Sequence, residues 1–182
     1  DNTDKIAHAY DQKKSYDKTS PVLGLVFKVN PTFNLYANAG QGFETPTFVE
    51  QSYNNDTTPT GNNSTLQPST SENFEIGAKA FLTDSTLLNL AVFKVKTKNE
   101  IVVDSSNAVT VYKNAGDTER SGLELSIDSD LGNNLKAYLS YSYLNAEFKD
   151  SFRTGSSNTL IAAGNKIPGT YKDRLYTELS WK

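Results

Sequence analysis

The chain contains no cysteine and a single histidine among 182 residues. Without cysteine there is neither a disulfide framework nor a thiolate metal site. The one histidine, His8, sits in a polar terminal segment with no second ligand nearby. That leaves no histidine metal site and no Ser-His-Asp arrangement, although serines are abundant. No apolar run of about 18 residues occurs, which excludes a transmembrane helix. No basic run could track a phosphate backbone, and the net charge is −3 with a pI near 5.2, so no nucleic-acid partner is expected. The oxygen-rich stretch Asn54-Asn55-Asp56 to Asn63 lacks the spacing and the closing glutamate of a calcium loop and reads as a flexible loop. No enzyme constellation and no cofactor is implied.

What the chain does have is alternation. In Glu119 to Phe148, two runs flank a short Gly-Asn turn. Leu123, Leu125 and Ile127 share one face, against Gly122, Glu124, Ser126 and Asp128. Leu135, Ala137, Leu139, Tyr141 and Tyr143 share another, against Lys136, Tyr138, Ser140 and Ser142. A period of two over this length predicts antiparallel strands with one apolar and one polar face. The same pattern recurs at 21–29, 33–39, 74–80, 87–103, 109–112 and 174–181, with a further short strand near Ile6 to Tyr10.

Short turns at 30–31, 83–85 and 130–133 alternate with longer, more polar connections at 43–71, 104–108 and 149–169. The strands exceed the usual length of about 5–6 residues in soluble sheets. Short turns at one end and long loops at the other mark an outer-membrane barrel. Composition agrees: only 36% of residues are hydrophobic and mean hydropathy is −0.54, yet 11% are aromatic. A barrel needs an apolar outer band but can leave its lumen polar. On this reading Glu75, Lys79, Glu124, Asp128, Lys136, Arg174 and Glu178 face the lumen, where opposite charges can pair. Tyr141 and Tyr143 near one strand end, and Phe33 and Trp181 near the other rim, are placed for interfacial girdles. A passive outer-membrane barrel, or a soluble β-domain binding carbohydrate or protein, shares much of this pattern and stays open.

Four strings narrow the choice. They are Leu35-Tyr36-Ala37-Asn38-Ala39-Gly40-Gln41-Gly42-Phe43-Glu44-Thr45-Pro46-Thr47-Phe48; Leu66-Gln67-Pro68-Ser69 running on to Glu75-Ile76-Gly77-Ala78-Lys79; Tyr112-Lys113-Asn114-Ala115-Gly116 with Arg120-Ser121-Gly122-Leu123-Glu124; and Ala163-Gly164-Asn165-Lys166-Ile167-Pro168-Gly169. In this order they resemble the β-barrel region of TonB-dependent outer-membrane receptors of the siderophore type. Two positions depart from the family pattern: Glu44 stands where the family usually has Arg, and Ser69 where it usually has Glu.

The resemblance implies an all-β fold, an antiparallel transmembrane β-barrel segment supplying about seven strands of a barrel of about 22. Residues 1–19 read as polar loop or the end of a preceding strand, and 20–182 as the partial barrel domain; both ends look cut rather than finished. The function implied is uptake of a ferric siderophore or similar metal complex across the bacterial cell outer membrane. TonB would supply the energy through a plug region outside this chain, and outer-membrane lipid would surround the wall. Ligand contacts are expected on the long loops. Gln51 and Tyr53, just beyond the Pro-Thr string, and Arg153 in the last loop are the candidates. Arginine suits the negative charge of a ferric chelate, and tyrosine can stack or hydrogen-bond.

Overall fold

A computed structural model describes residues 14–54, 63–106 and 109–181. His8, Asp56 and the strand expected near Ile6 to Tyr10 lie outside the described residues. Seven long strands form one antiparallel sheet: β1 (Val22–Asn30), β2 (Phe33–Glu44), β3 (Ser69–Thr83), β4 (Thr86–Lys98), β7 (Thr118–Gly132), β8 (Leu135–Phe148) and β11 (Asp173–Trp181). They pair in chain order as a meander, and β1 and β11 each pair on one side only, so the barrel is not closed within this chain. Two small hairpins are inserted, β5 (Ile101–Ser106) with β6 (Thr110–Asn114), and β9 (Phe152–Thr154) with β10 (Thr159–Ile161). The one helix among the described residues, α1 (Phe48–Gln51), is a single turn.

The turns at one end are all of the two-residue kind. Asn30 pairs with Phe33, Thr83 with Thr86, and Gly132 with Leu135. Asn30 Oδ1 accepts from Thr32 N at 2.9 Å, folding the first turn around Pro31. The third turn is centred on Asn133 and Asn134, at φ 52° and 64°, not on the Gly-Asn pair expected from sequence. Two successive left-handed residues give the turn whose twist matches that of the strands it joins.

Register turns the period of two into continuous surfaces. Leu25, Ala37, Ile76, Val92, Leu123 and Tyr143 stand side by side across six strands. The next row is Phe27, Leu35, Ala78, Leu90, Leu125, Tyr141 and Leu175. These side chains are largely exposed: Leu25, Phe27, Ile76 and Leu175 each keep more than 60% of their accessible surface. Soluble monomers rarely leave an apolar surface this continuous open to water. The other face carries Val26, Tyr36, Gly77, Ala91, Glu124, Ser142 and Arg174 in one row.

Two glycines on that polar face have a steric reason. A Cβ on Gly77 would lie 2.3 Å from the ring of Tyr36, its register partner. A Cβ on Gly122 would lie 2.7 Å from the ring of Phe93, its partner on β4, and 2.2 Å from the carbonyl of Tyr143. Each aromatic ring lies flat across the strand beside it, so only glycine fits beneath.

One sequence expectation is corrected here. The strand read over 87–103 ends at Lys98, and the connection read as a short loop at 104–108 spans 99–117 and contains β5 and β6. The chain breaks at Asn99, whose φ is 57°, and at Gly116, whose φ is 94°. Glu100 N donates to Gly116 O at 2.9 Å and Ala115 N to Glu100 O at 2.7 Å, pinching the hairpin off from the sheet.

Candidate functional site

The three long connections, 45–68, 99–117 and 149–172, leave the same end of the sheet and interlock into one cap. All four sequence strings fall where strands enter or leave it. The buried residues concentrate here too: Leu66 at 1% exposure, with Val111, Ala115, Ala146 and Phe148. Phe152 meets Phe148 edge-on at a centroid separation of 4.9 Å. The last string folds back along β8, where Gly164 N donates to Phe148 O, Phe148 N to Asn165 O, and Ile167 N to Ala146 O.

β6 is the hub. Asn63, itself buried, donates from Nδ2 to Tyr112 O at 2.6 Å, and its backbone N donates to Gln51 O at 2.7 Å. Asn114 Nδ2 donates to Gln67 O and Asn99 O, and Asn114 Oδ1 accepts from Gln67 N. On the other side Lys113 Nζ donates to Arg153 O and pairs with Asp104 at 2.7 Å. Thr154 Oγ1 and Gly155 N both donate to Asp104 O, which clamps the β9–β10 hairpin onto β5. Asp104 is buried, and Lys113 compensates its charge.

A second clasp ties the cap to the sheet. Arg120 grips the Glu100 carboxylate with two bonds, of 2.8 Å and 3.2 Å, and Thr118 Oγ1 donates to the same carboxylate at 2.9 Å. Bidentate geometry of this kind fixes orientation as well as charge. Below the cap a recess of about 390 Å³ is lined by Gly42, Glu44, Ser69, Ser71, Glu100 and Arg120. Glu44 and Ser69, the two departures from the family pattern, are register partners across β2 and β3. Neither position offers a cation, and Arg120 with Glu100 supplies the ion pair bordering this recess.

The sequence candidates fall within the cap but not into one pocket. Gln51 ends α1, and its Nε2 donates to Pro46 O at 2.8 Å. The helix is opened by a capping box in which Thr47 and Glu50 bond reciprocally. Gln51 therefore braces its own turn. Tyr53 lies just beyond α1 and is exposed, as are Phe48 (86%) and Val49. Arg153 is exposed on β9 and donates to Asn158 O at 2.9 Å. Hydrogen bonds link Gln51 to β6 through Asn63 and link β6 to Arg153 through Lys113, so the cap joins the candidates without bringing them into contact. The clasps at Asp104 and Glu100 were not singled out from sequence. Arg120 had a signal, its place in the third string, but Asp104 had none: its carboxylate pairs with Lys113 only because β5 and β6 form a hairpin, and its carbonyl takes Thr154 from 50 residues away.

The lumen-facing charges share one face as expected, but among the described residues none of the seven pairs with another. The ion pairs gather at the cap end instead: Lys94–Glu119, Lys113–Asp104, Arg120–Glu100, and Lys149 and Lys166 with Glu147. Among the described residues no cluster of acidic or histidine side chains could hold a metal ion.

Comparison with known proteins agrees with this architecture. Residues 1–182 match the family described as TonB dependent receptor-like, beta-barrel. The chain is 27% identical over 173 residues to a probable TonB-dependent siderophore receptor, PiuA, of Acinetobacter baumannii, covering 91% of this chain and 23% of that protein. It is 29% identical over 129 residues to the metal-pseudopaline receptor CntO of Pseudomonas aeruginosa, covering 70% of this chain and 17% of the relative. The crystal structure of the siderophore receptor PiuA from Acinetobacter baumannii superposes with a TM-score of 0.66 at 22% identity, over 88% of this chain and 23% of that one. The chain therefore spans less than a quarter of the length of these relatives.

Proposed function

The chain belongs to the TonB-dependent receptor β-barrel family, and from that membership we propose that it forms part of the wall and the outer mouth of an outer-membrane receptor. The receptor imports a ferric siderophore or a similar metal complex, driven by TonB acting through a plug region outside this chain. The observation that carries the reading is the apolar face made continuous by register across seven strands, with every long connection at one end. Such a face has lipid as its natural neighbour, and the long-loop end is then the outer mouth.

At that mouth Tyr53 and Arg153 contact the ligand, and Gln51 positions the turn that carries Tyr53. The exposed guanidinium of Arg153 is available to an anionic chelate. Replacing Arg153 by Ala in the full receptor weakens ligand binding about tenfold or more, the range for a charged hydrogen bond. An unchanged dissociation constant would remove Arg153 from the site. The reading as a whole is tested in iron-starved cells deleted for the full gene. Uptake of one labelled chelate is expected to disappear; if uptake of every chelate persists, metal-complex import is wrong.

A further inference from the structure

β2 ends at the foot of the cap with Glu44, an exposed residue on the polar inner face. Glu44 borders the recess of about 390 Å³ that also touches Ser69, Ser71, Thr97, Glu100 and Arg120. Small residues keep this space open. Gly42, Ser71 and Thr97 are register partners across β2, β3 and β4. A Cβ on Gly42 would lie 2.4 Å from Ser71 Oγ, so the glycine is what leaves room for that hydroxyl. Asn73 Nδ2 donates to the same oxygen at 3.3 Å and steadies it.

The charges around the recess do not balance. Arg120 turns both terminal nitrogens to the Glu100 carboxylate, and Thr118 Oγ1 donates to it as well. That pair cancels. Glu44 faces Ser69 across the ladder and makes no ion pair among the described residues. Among those residues no lysine lines the recess. One negative charge is left over, in a cleft whose neutral polar side chains are the hydroxyls of Ser69, Ser71 and Thr97. A cleft carrying charge of one sign concentrates its field on whatever enters.

The chemistry of the lining selects the kind of cation. A bare divalent ion takes about six to eight oxygens, several of them charged, and one free carboxylate falls short of that. A primary ammonium has three donors, which one carboxylate and neighbouring hydroxyl oxygens satisfy. An anionic group would meet Glu44 with no free cation to offset it.

We propose that Glu44 binds a primary ammonium carried on an arm of the imported metal complex, so that the receptor selects chelates bearing an amine over neutral ones. The inference rests on the reading of the chain as part of an import receptor. Arg153, on the cap, faces the anionic core of the complex while Glu44 takes the arm at the foot of the cap. Isothermal titration of the full receptor tests this with a hydroxamate and a catecholate ferric chelate. Each is prepared with a primary amine on a short alkyl arm and with that nitrogen acetylated. Wild type is expected to bind an amine form about tenfold more tightly than its acetylated twin, as for a hydrogen bond to a charged group. Glu44→Gln abolishes the preference by weakening the amine form alone, and Glu44→Arg reverses it. Heat-modifiable migration of both variants confirms folding. Equal affinity of wild type for both twins overturns the proposal. So does equal weakening of both twins by Glu44→Gln, which would make Glu44 a structural residue. Uptake in iron-starved cells separates the two readings. Import that depends on the gene but ignores acetylation defeats the ammonium site and leaves metal import standing, whereas uptake of every chelate without the gene defeats both.

Discussion

The two ends of this sheet are built on different principles. At the short-turn end each connection is two residues long and satisfied locally, and little there is buried. At the cap end, segments about 50 residues apart in sequence bond one another, and most of the buried side chains collect there. The wall between them leaves its leucines exposed, because within this chain nothing covers them. The cap carries its own interior, while the apolar face of the wall finds no cover within this chain. A single chain thus combines a self-packed unit with one whose stability is set by its medium.

Matched substitutions sharpen that contrast. The largest effect is expected from Leu66→Ala in the cap, about 2–5 kcal/mol for a fully buried leucine. Hydrogen exchange should show it as local opening of 45–68 and β6, with the wall's protection unchanged. Spread of the effect through all seven strands would show that cap and wall are one cooperative unit. Next is Leu125→Arg, a charge set into the outer face of the wall, expected to cost about 2–4 kcal/mol near the bilayer midplane. Its neighbour Ser126→Arg, on the inner face, should cost far less. Equal losses in vesicle unfolding would erase the distinction between the faces. Lys113→Met removes the ammonium paired with the buried Asp104 carboxylate and should cost about 1–3 kcal/mol. Faster proteolysis between β9 and β10 is the readout, and unchanged cleavage would show that the clasp does not hold the hairpin. The smallest change is expected at the short-turn end. Asn133→Ala, at a left-handed φ, should cost about 1–2 kcal/mol, seen as a modest fall in the urea midpoint. A null result would mean that the turn tolerates any residue.

The same contrast explains what could be read from the residues alone. The seven strands were legible because alternation is local and a strand carries its own face assignment, except in β4, where Leu87-Leu88 and Ala91-Val92-Phe93 blur the two faces. The turn at Asn30 and the short connection at Asp84-Ser85 were legible for the same reason. The β5–β6 hairpin was not. Ile101, Val102 and Val103 extend β-branched character past Lys98, and the break is carried by Asn99, a single residue in a left-handed conformation. Asn63 was read as part of a flexible, oxygen-rich loop, yet it is buried between Gln51 and Tyr112, because its partners are backbone carbonyls that no side-chain pattern announces. Gln51, Tyr53 and Arg153 were chosen by residue type and loop position. Their type does not reveal that the Gln51 amide is already engaged by Pro46.

The facing of Glu44 and Ser69 across β2 and β3 limits what further change the chain can tolerate. Restoring the family's glutamate at 69 alone would set two carboxylates directly opposite each other, a destabilising cross-strand pair. Restoring arginine at 44 alone would leave that cation facing a serine. Made together, the two changes would set opposite charges on facing residues, so their effects on stability are coupled and neither can be judged from the single substitution.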